Sequence, residues 1–343
     1  MKSFGSIFRF TFQLAIVVAS ALISVVLIVF VLLGGLKEIP PNTNATTIRI
    51  PVGYGPEDMV LDKTHGPQRF LVSCAGRRED VLSYNNIYSY TIGDMEGEII
   101  PRFNEPDTLA FRPHGIYLQG DSLYVISHDE TKNLHYIYTY LVENSKLTYF
   151  GAIYSPLLTS PNAIVVNERG EIFISNDRVD HKDNVEFLLK PQRAKLLKYD
   201  RKNWSIISDH VAIGNGLAIR HDTLWQATSG GQGLCCFDLQ HLPDEHQILD
   251  FYGLDNLRWH NDRLIVSAHL VDFDLMMHSI SSEFQSATVV YEVDPLTGHG
   301  ETIYVDHGSN ISAGSTAIRI EDDLYISQVF EPYLLKVSLP HQE

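Results

Sequence analysis

The chain has 343 residues, with 26 Lys and Arg against 42 Asp and Glu, a formal charge of −16, and three cysteines. An acidic field of that size argues against nucleic acid and anionic membrane surfaces as partners. Two of the cysteines, Cys235 and Cys236, are adjacent, so this is not a disulfide-framework protein.

From Phe10 to Leu36 no residue is charged, and LAIVVASALISVVLIVFVLL is almost wholly apolar. A helix of that length spans a hydrocarbon core of about 30 Å. The run exceeds the roughly 7–15 residues of a cleavable signal core, and no small-x-small cleavage site follows it. Lys2 and Arg9 precede it, whereas Lys37 and Glu38 cancel after it. Residues 1–36 are therefore expected to form a cytosolic tip and uncleaved signal anchor. The result is a single-pass membrane protein with a cytosolic N-terminus and an extracytoplasmic remainder. Residues 37–48, beginning KEIPPNTNATT, read as a polar stalk, and residues 49–343 as one exported domain. Without Lys2 and Arg9, the exported part has a formal charge of −18. Sequons for N-glycosylation stand at Asn44, Asn203 and Asn310.

The exported part shows little helical periodicity and many short β-rich runs closed by Gly, Asp or Asn turns. One pattern recurs: a polar leader, an alternating apolar strand, a tight turn, and a second strand often ending in Ser, His or Asn. It appears as EDMVLDKTHGPQRFLVSC, HGIYLQGDSLYVISHD, NAIVVNERGEIFISND, NGLAIRHDTLWQATSG, DNLRWHNDRLIVSAH and STAIRIEDDLYISQVF. The leaders Glu57, His114, Asn162, Asn215, Asp255 and Ser315 are spaced 57, 48, 53, 40 and 60 residues apart. Six β-rich units of about 50 residues predict an all-β, six-bladed β-propeller behind one transmembrane helix. A β-sandwich or two stacked barrels would not explain six copies of one hairpin. By strand alternation each leader shares a face with the apolar residues two and four positions on, as Asn162 does with Ile164 and Val166. LLKPQRAKLLKYD is expected to hold a short helix or lid.

In a propeller the inner strands surround one channel, so equivalent starting residues meet there. The leaders Glu57, His114, Asn162, Asn215, Asp255 with Asn256, and Ser315 with Thr316 form such a ring. Its carboxylates and amides are hard oxygen donors and suit Ca²⁺ better than a tetrahedral zinc site. His114 and His128 open and close one hairpin, and the second would orient the first and accept its proton. His269 closes the corresponding strand of another blade.

At these residues the sequence resembles the paraoxonase/arylesterase family, within the wider senescence-marker-protein and gluconolactonase-like propellers. The matching stretches are GPEDMVLD, FRPHGI, VISHD, SPNAIVV with IFISND, GNGLAI, LDNLRW with VSAH, and GSTAI, in family order across about residues 45–340. The resemblance implies a catalytic calcium held by Glu57, Asn162, Asn215, Asp255 and Asn256. It implies that His114, backed by His128, activates water, and that His269 lines the pocket. It also implies a second, structural calcium on Asp58, the Ile116 carbonyl and the residue after Asn162. That residue is Ala163 here, where the family pattern has Asp, so one firmly bound calcium is expected. The family's disulfide joining the propeller's ends is missing, so closure must rest on strand pairing and the stalk.

The function expected is a calcium-dependent hydrolase of small-molecule lactones or aryl esters. No G-x-S-x-G elbow is present. A metal-independent strictosidine-synthase-like enzyme would not need the Asn and Asp leaders. A non-catalytic tethered propeller that binds a partner would keep the fold.

Overall fold

The computed structural model describes residues 2–182, 184–242, 245–249 and 251–339. Among the described residues, helix α1 (Lys2–Leu32) precedes six sheets, each a blade built on one of the repeated hairpins. All are antiparallel except for the two-residue edge strand Arg102–Phe103, which runs parallel to its neighbour in blade two. The inner strands are Pro56–Asp62, Pro113–Gln119, Pro161–Val166, Gly214–Arg220, Leu254–His260 and Gly314–Ile320. Each touches the next, and the last touches the first, so they close a ring. The chain is a six-bladed propeller carrying one apolar N-terminal helix. Within α1, Arg9–Leu32 is long and apolar enough to cross a membrane.

The hydrophobic core lies between blades. Val60, Leu71 and Ile87 of blade one pack with Ile116, Val125 and Tyr138 of blade two. Ile265 and Val290 of blade five meet Leu324 and Ile326 of blade six. Ile164 and Val166 face blade two, whereas Ala163 and Val165 face blade four. Alternate residues of one strand thus bury against opposite neighbours, the period-2 pattern seen in the sequence.

Ring closure is by strand pairing. Thr46–Pro51 lies antiparallel to Tyr333–Ser338, the third strand of blade six, in register from Thr46↔Ser338 to Pro51↔Tyr333. Cys74, Cys235 and Cys236 form no disulfide. The segment expected as a stalk lies against blade five: Thr43 exchanges two hydrogen bonds with Val305, both 2.9 Å, and His307 binds Asn42 and the Pro40 carbonyl.

Two short helices interrupt the blades: α2 (Asn184–Leu189) and α3 (Asp272–Ile280). The short helix expected in LLKPQRAKLLKYD is met only at its start: Leu188 and Leu189 end α2, whereas Ala194–Tyr199 is a strand of blade three, its apolar positions buried between blades. The end of α1 docks on α3, with Leu33 buried, its carbonyl accepting from the Phe273 amide, and Phe30 edge-on to Phe273.

Candidate functional site

Each inner strand pairs regularly with its neighbour except at one place, the leader. The register shifts at Pro56/Asp58, Pro113/Ile116, Pro161/Ala163, Gly214/Leu217, Leu254/Leu257 and Gly314/Ala317. Every leader therefore sits in a β-bulge, which leaves it outside the ladder and re-aims its side chain. This corrects the alternation argument. Leu217 and Ile219 pack into an inter-blade core, while Asn215 turns into the channel. Two glycines make the convergence possible. A Cβ on Gly115 would lie 2.2 Å from the Asn162 carbonyl oxygen, and one on Gly216 would lie 2.6 Å from the Asn256 Cα.

Glu57, His114, Asn162, Asn215 and Asp255 line one cavity of about 300 Å³, with His269 beside them. Asn256 is buried but is not among the lining residues, and its amide donates to Ser315 Oγ at 3.2 Å. Ser315 and Thr316 brace the ring instead: Thr316 Oγ1 donates to the Glu57 carbonyl (3.2 Å), as does Ser327 Oγ (2.8 Å). His128 stands behind His114, its Nε2 2.8 Å from His114 Nδ1. His114 Nε2 is 3.2 Å from Glu57 Oε2, and His269 Nε2 is 2.9 Å from Asp255 Oδ2.

The sequence reading did not foresee several wall residues. Arg77 pairs with Glu57, and Asp177, Arg178, His181, Phe187, Asp272 and Leu275 are also part of the lining. Phe187 belongs to α2, and Asp272 and Leu275 to α3, so both helices contribute to the cavity wall. Burial, reinforced by Arg77, pushes His114 down to about 3. Burial and the neighbouring His114 push His128 well below its ordinary value. Burial beside Arg112 lowers Arg77 to about 9. The histidines are therefore neutral bases at neutral pH, and the guanidinium remains charged.

The donor set fits one hard cation. Asn215 Oδ1 is buried with no hydrogen-bond partner, because its amide nitrogen is the atom bound to Ser229. Glu57 Oε2 likewise accepts no hydrogen bond of ordinary geometry, although Arg77 and His114 face it. Among the described residues no three His, Cys, Asp or Glu side chains cluster as metal ligands, so the amides must contribute. Arg77 is a competitor for Glu57.

The residues implied for a second calcium do not fit one. Asp58 Oδ1 accepts from the Met59 amide (2.8 Å) and Thr316 Oγ1 (2.9 Å) and pairs with Arg258 Nη2. Asp58 Oδ2 accepts from the Ile116 amide at 2.8 Å. Arg258 is anchored further by the Leu257 and Met59 carbonyls. A fixed guanidinium already supplies the positive charge, and Ala163 adds no side-chain oxygen.

No protein-family model and no curated protein matches the chain. Solved structures do. A gluconolactonase from Xanthomonas campestris aligns with a TM-score of 0.53 at 14% identity, over 89% of this chain and all of its own length. A chain from a nidogen/laminin complex aligns with a TM-score of 0.49 at 11% identity, over 76% of this chain and 94% of its own. What the gluconolactonase shares at such identity is the propeller fold; the narrower resemblance to paraoxonases rests on the motifs alone.

Proposed function

We propose that the channel cavity is the active site of a calcium-dependent hydrolase of lactones or aryl esters, tethered to a membrane by α1. The observation that carries this is the buried, unpartnered Asn215 Oδ1, gathered with Glu57 and Asp255 around a cavity into which the neutral base His114 projects.

Glu57, Asn162, Asn215, Asp255 and Asn256 would hold the ion. When bound, calcium supplies Lewis-acid polarisation of the ester carbonyl. His114 Nε2 takes a proton from the attacking water, and the ring's depressed basicity keeps it neutral until then. His128 holds the other side of the ring. His269 fixes one oxygen of Asp255 and leaves the other for the cation. Ile213, Phe187, Leu275 and Val329 give the substrate's carbon skeleton an apolar wall. A cavity of about 300 Å³ is at the small end for ligand sites, which favours compact substrates. The fold neighbour described as a gluconolactonase makes small lactones the first to test. Lys2 and Arg9, on one side of the span, would keep the N-terminus cytosolic and place the propeller outside the cytoplasm.

The test is hydrolysis of a lactone panel and phenyl acetate by the detergent-solubilised chain, with calcium, after chelation, and after calcium is restored. Activity should vanish and return, and Asn215→Ala and Asp255→Ala should each lower kcat/KM by about 100-fold or more. Activity that survives both substitutions would sink the metal-centred mechanism. A folded, calcium-loaded protein that hydrolyses nothing would point to a tethered binding propeller.

A further inference from the structure

Four cations in and around the cavity have carboxylates of their own. Arg78 pairs with Glu331 (2.8 Å), Arg178 with Asp177 (3.3 Å), Arg112 with Glu130, and Lys190 with Asp272. None of those carboxylates belongs to the set that would hold calcium. Arg77 differs, because its partner is Glu57. Its Nη1 is held by the Ala75 carbonyl at 3.0 Å, which leaves Nη2 against Glu57 Oε2 in the cavity.

Glu57 cannot balance two cations. Together with Asp255 it matches the two charges of a calcium ion. The other carboxylates of the wall, Asp177 and Asp272, are matched by Arg178 and Lys190. Among the described residues of the wall, Arg77 is then a guanidinium without a counterion whenever the ion is bound. Its side chain is only 16% exposed, and a buried ion without a partner is strongly disfavoured. An oxyanion formed during turnover is too brief to remove that deficit, whereas an anionic group carried by the substrate removes it from the moment of binding. The planar guanidinium fork suits a carboxylate. A carboxylate is also what Arg77 already holds, with Glu57 standing where the ligand's would be. The cavity of about 300 Å³ restricts the ligand to a compact molecule.

We propose that, with calcium on Glu57, Arg77 receives a carboxylate of the substrate, so that small lactones and esters bearing a carboxylate are the preferred class. This rests on the hydrolase reading, which places the ion. Cyclopentanecarboxylate, a compact carboxylate with no ester to cleave, is the probe for the full chain in detergent. By calorimetry it should bind the calcium-loaded protein about tenfold or more tighter than the chelated protein, in which Glu57 occupies Arg77. By linkage it should tighten calcium binding by the same factor. Arg77→Met should still bind calcium but bind the probe about tenfold or more weakly. For turnover, a γ-butyrolactone with a carboxylate on its γ-carbon is compared with the carboxamide of the same lactone. The ratio of their kcat/KM values should be about tenfold or more in the wild type and close to one in Arg77→Met. Equal probe binding by the calcium-loaded wild type and Arg77→Met would put the carboxylate on the ion and overturn the proposal. A ratio near one in the wild type would overturn it as well. A wild type that binds calcium but not the probe sinks this inference alone, whereas one that binds no calcium sinks the hydrolase reading with it. If Arg77→Met does not fold, Arg77→Gln takes its place with the same expectations, and the wild-type ratio decides independently.

Discussion

Asp58 is nearly inaccessible to solvent and is matched donor for donor, with Arg258 supplying the charge. Removing one partner of such a buried pair leaves an uncompensated charge, whereas the intact pair contributes little net stability. Arg258→Met should therefore destabilise the chelated protein by about 3 kcal/mol. Calcium should recover part of that loss, because Asp58 would become free to bind it. Calcium titration by calorimetry should then show one binding event in the wild type and two in the variant. Two events in the wild type would contradict the assignment of Arg258 as the resident cation. In the sequence, Arg258 is a charged residue on an alternating strand, a position normally read as solvated. Arg77 and Arg78 stand in AGRRED, where no local pattern marks their destination. Yet Arg77 reaches Glu57, and Arg78 reaches Glu331 and His278. A long side chain's direction depends on carboxylates supplied by distant blades, which no local pattern encodes.

Among the elements, the repeated hairpins were legible because their periodicity is local, with each strand alternating between the two neighbouring blades. The bulges were not. A bulge is a mismatch between two strands, and the leader's departure from alternation leaves no mark in its own strand. The leaders were found by recurrence, and the cavity shows why they recur. Helix α3 was also missed. Its nine residues are too few for a firm periodic signal. Asp272 and Asp274 in its first turn and His278 in its last do suit the helix dipole. Its position comes from tertiary contacts, with Phe273 against Phe30 and His278 against Glu331 and the Phe284 carbonyl. The closing strand Thr46–Pro51 carries the ring's covalently unsupported joint. Ile50, buried among residues of blades one and six, is its inward anchor. Ile50→Ala should cost about 2–4 kcal/mol, and amide exchange should quicken first in Tyr333–Ser338. Uniform loss of protection across all six blades would show that closure is not the weak point.

For the whole molecule, acid has two opposing effects. The formal charge is −16 and the sequence pI about 5.3, so lowering the pH from neutrality relieves general repulsion between surface carboxylates. Against this stand four histidines around the channel. Burial holds His114 near 3 and His181 near 4, keeps His128 well below its ordinary value, and lowers His135 as well. In the unfolded chain each takes up a proton near pH 6.5. Below that pH the unfolded state binds protons that the folded state refuses, so stability falls as pH falls towards 4–3. His65 works the other way. Although burial opposes it, hydrogen bonds donated by its ring to Asp62 and Asp121 raise its pKa, so it adds stability that is present in acid and lost as pH rises. Below pH 6.5 His65 is protonated in both states and drops out, so unfolding near pH 5 takes up about four protons, one for each depressed histidine. Salt separates the two effects, since dispersed surface charges are screened within about 8 Å at 0.15 M and buried rings are not. Thermal unfolding of the chelated protein from pH 8 to 5 should therefore show a falling Tm, in 1 M NaCl as well as 0.15 M. His181→Gln should lower the proton uptake by about one. A Tm that rises towards the pI, or a decline that disappears in high salt, would mean that surface repulsion governs stability and the histidines ionise in the folded state.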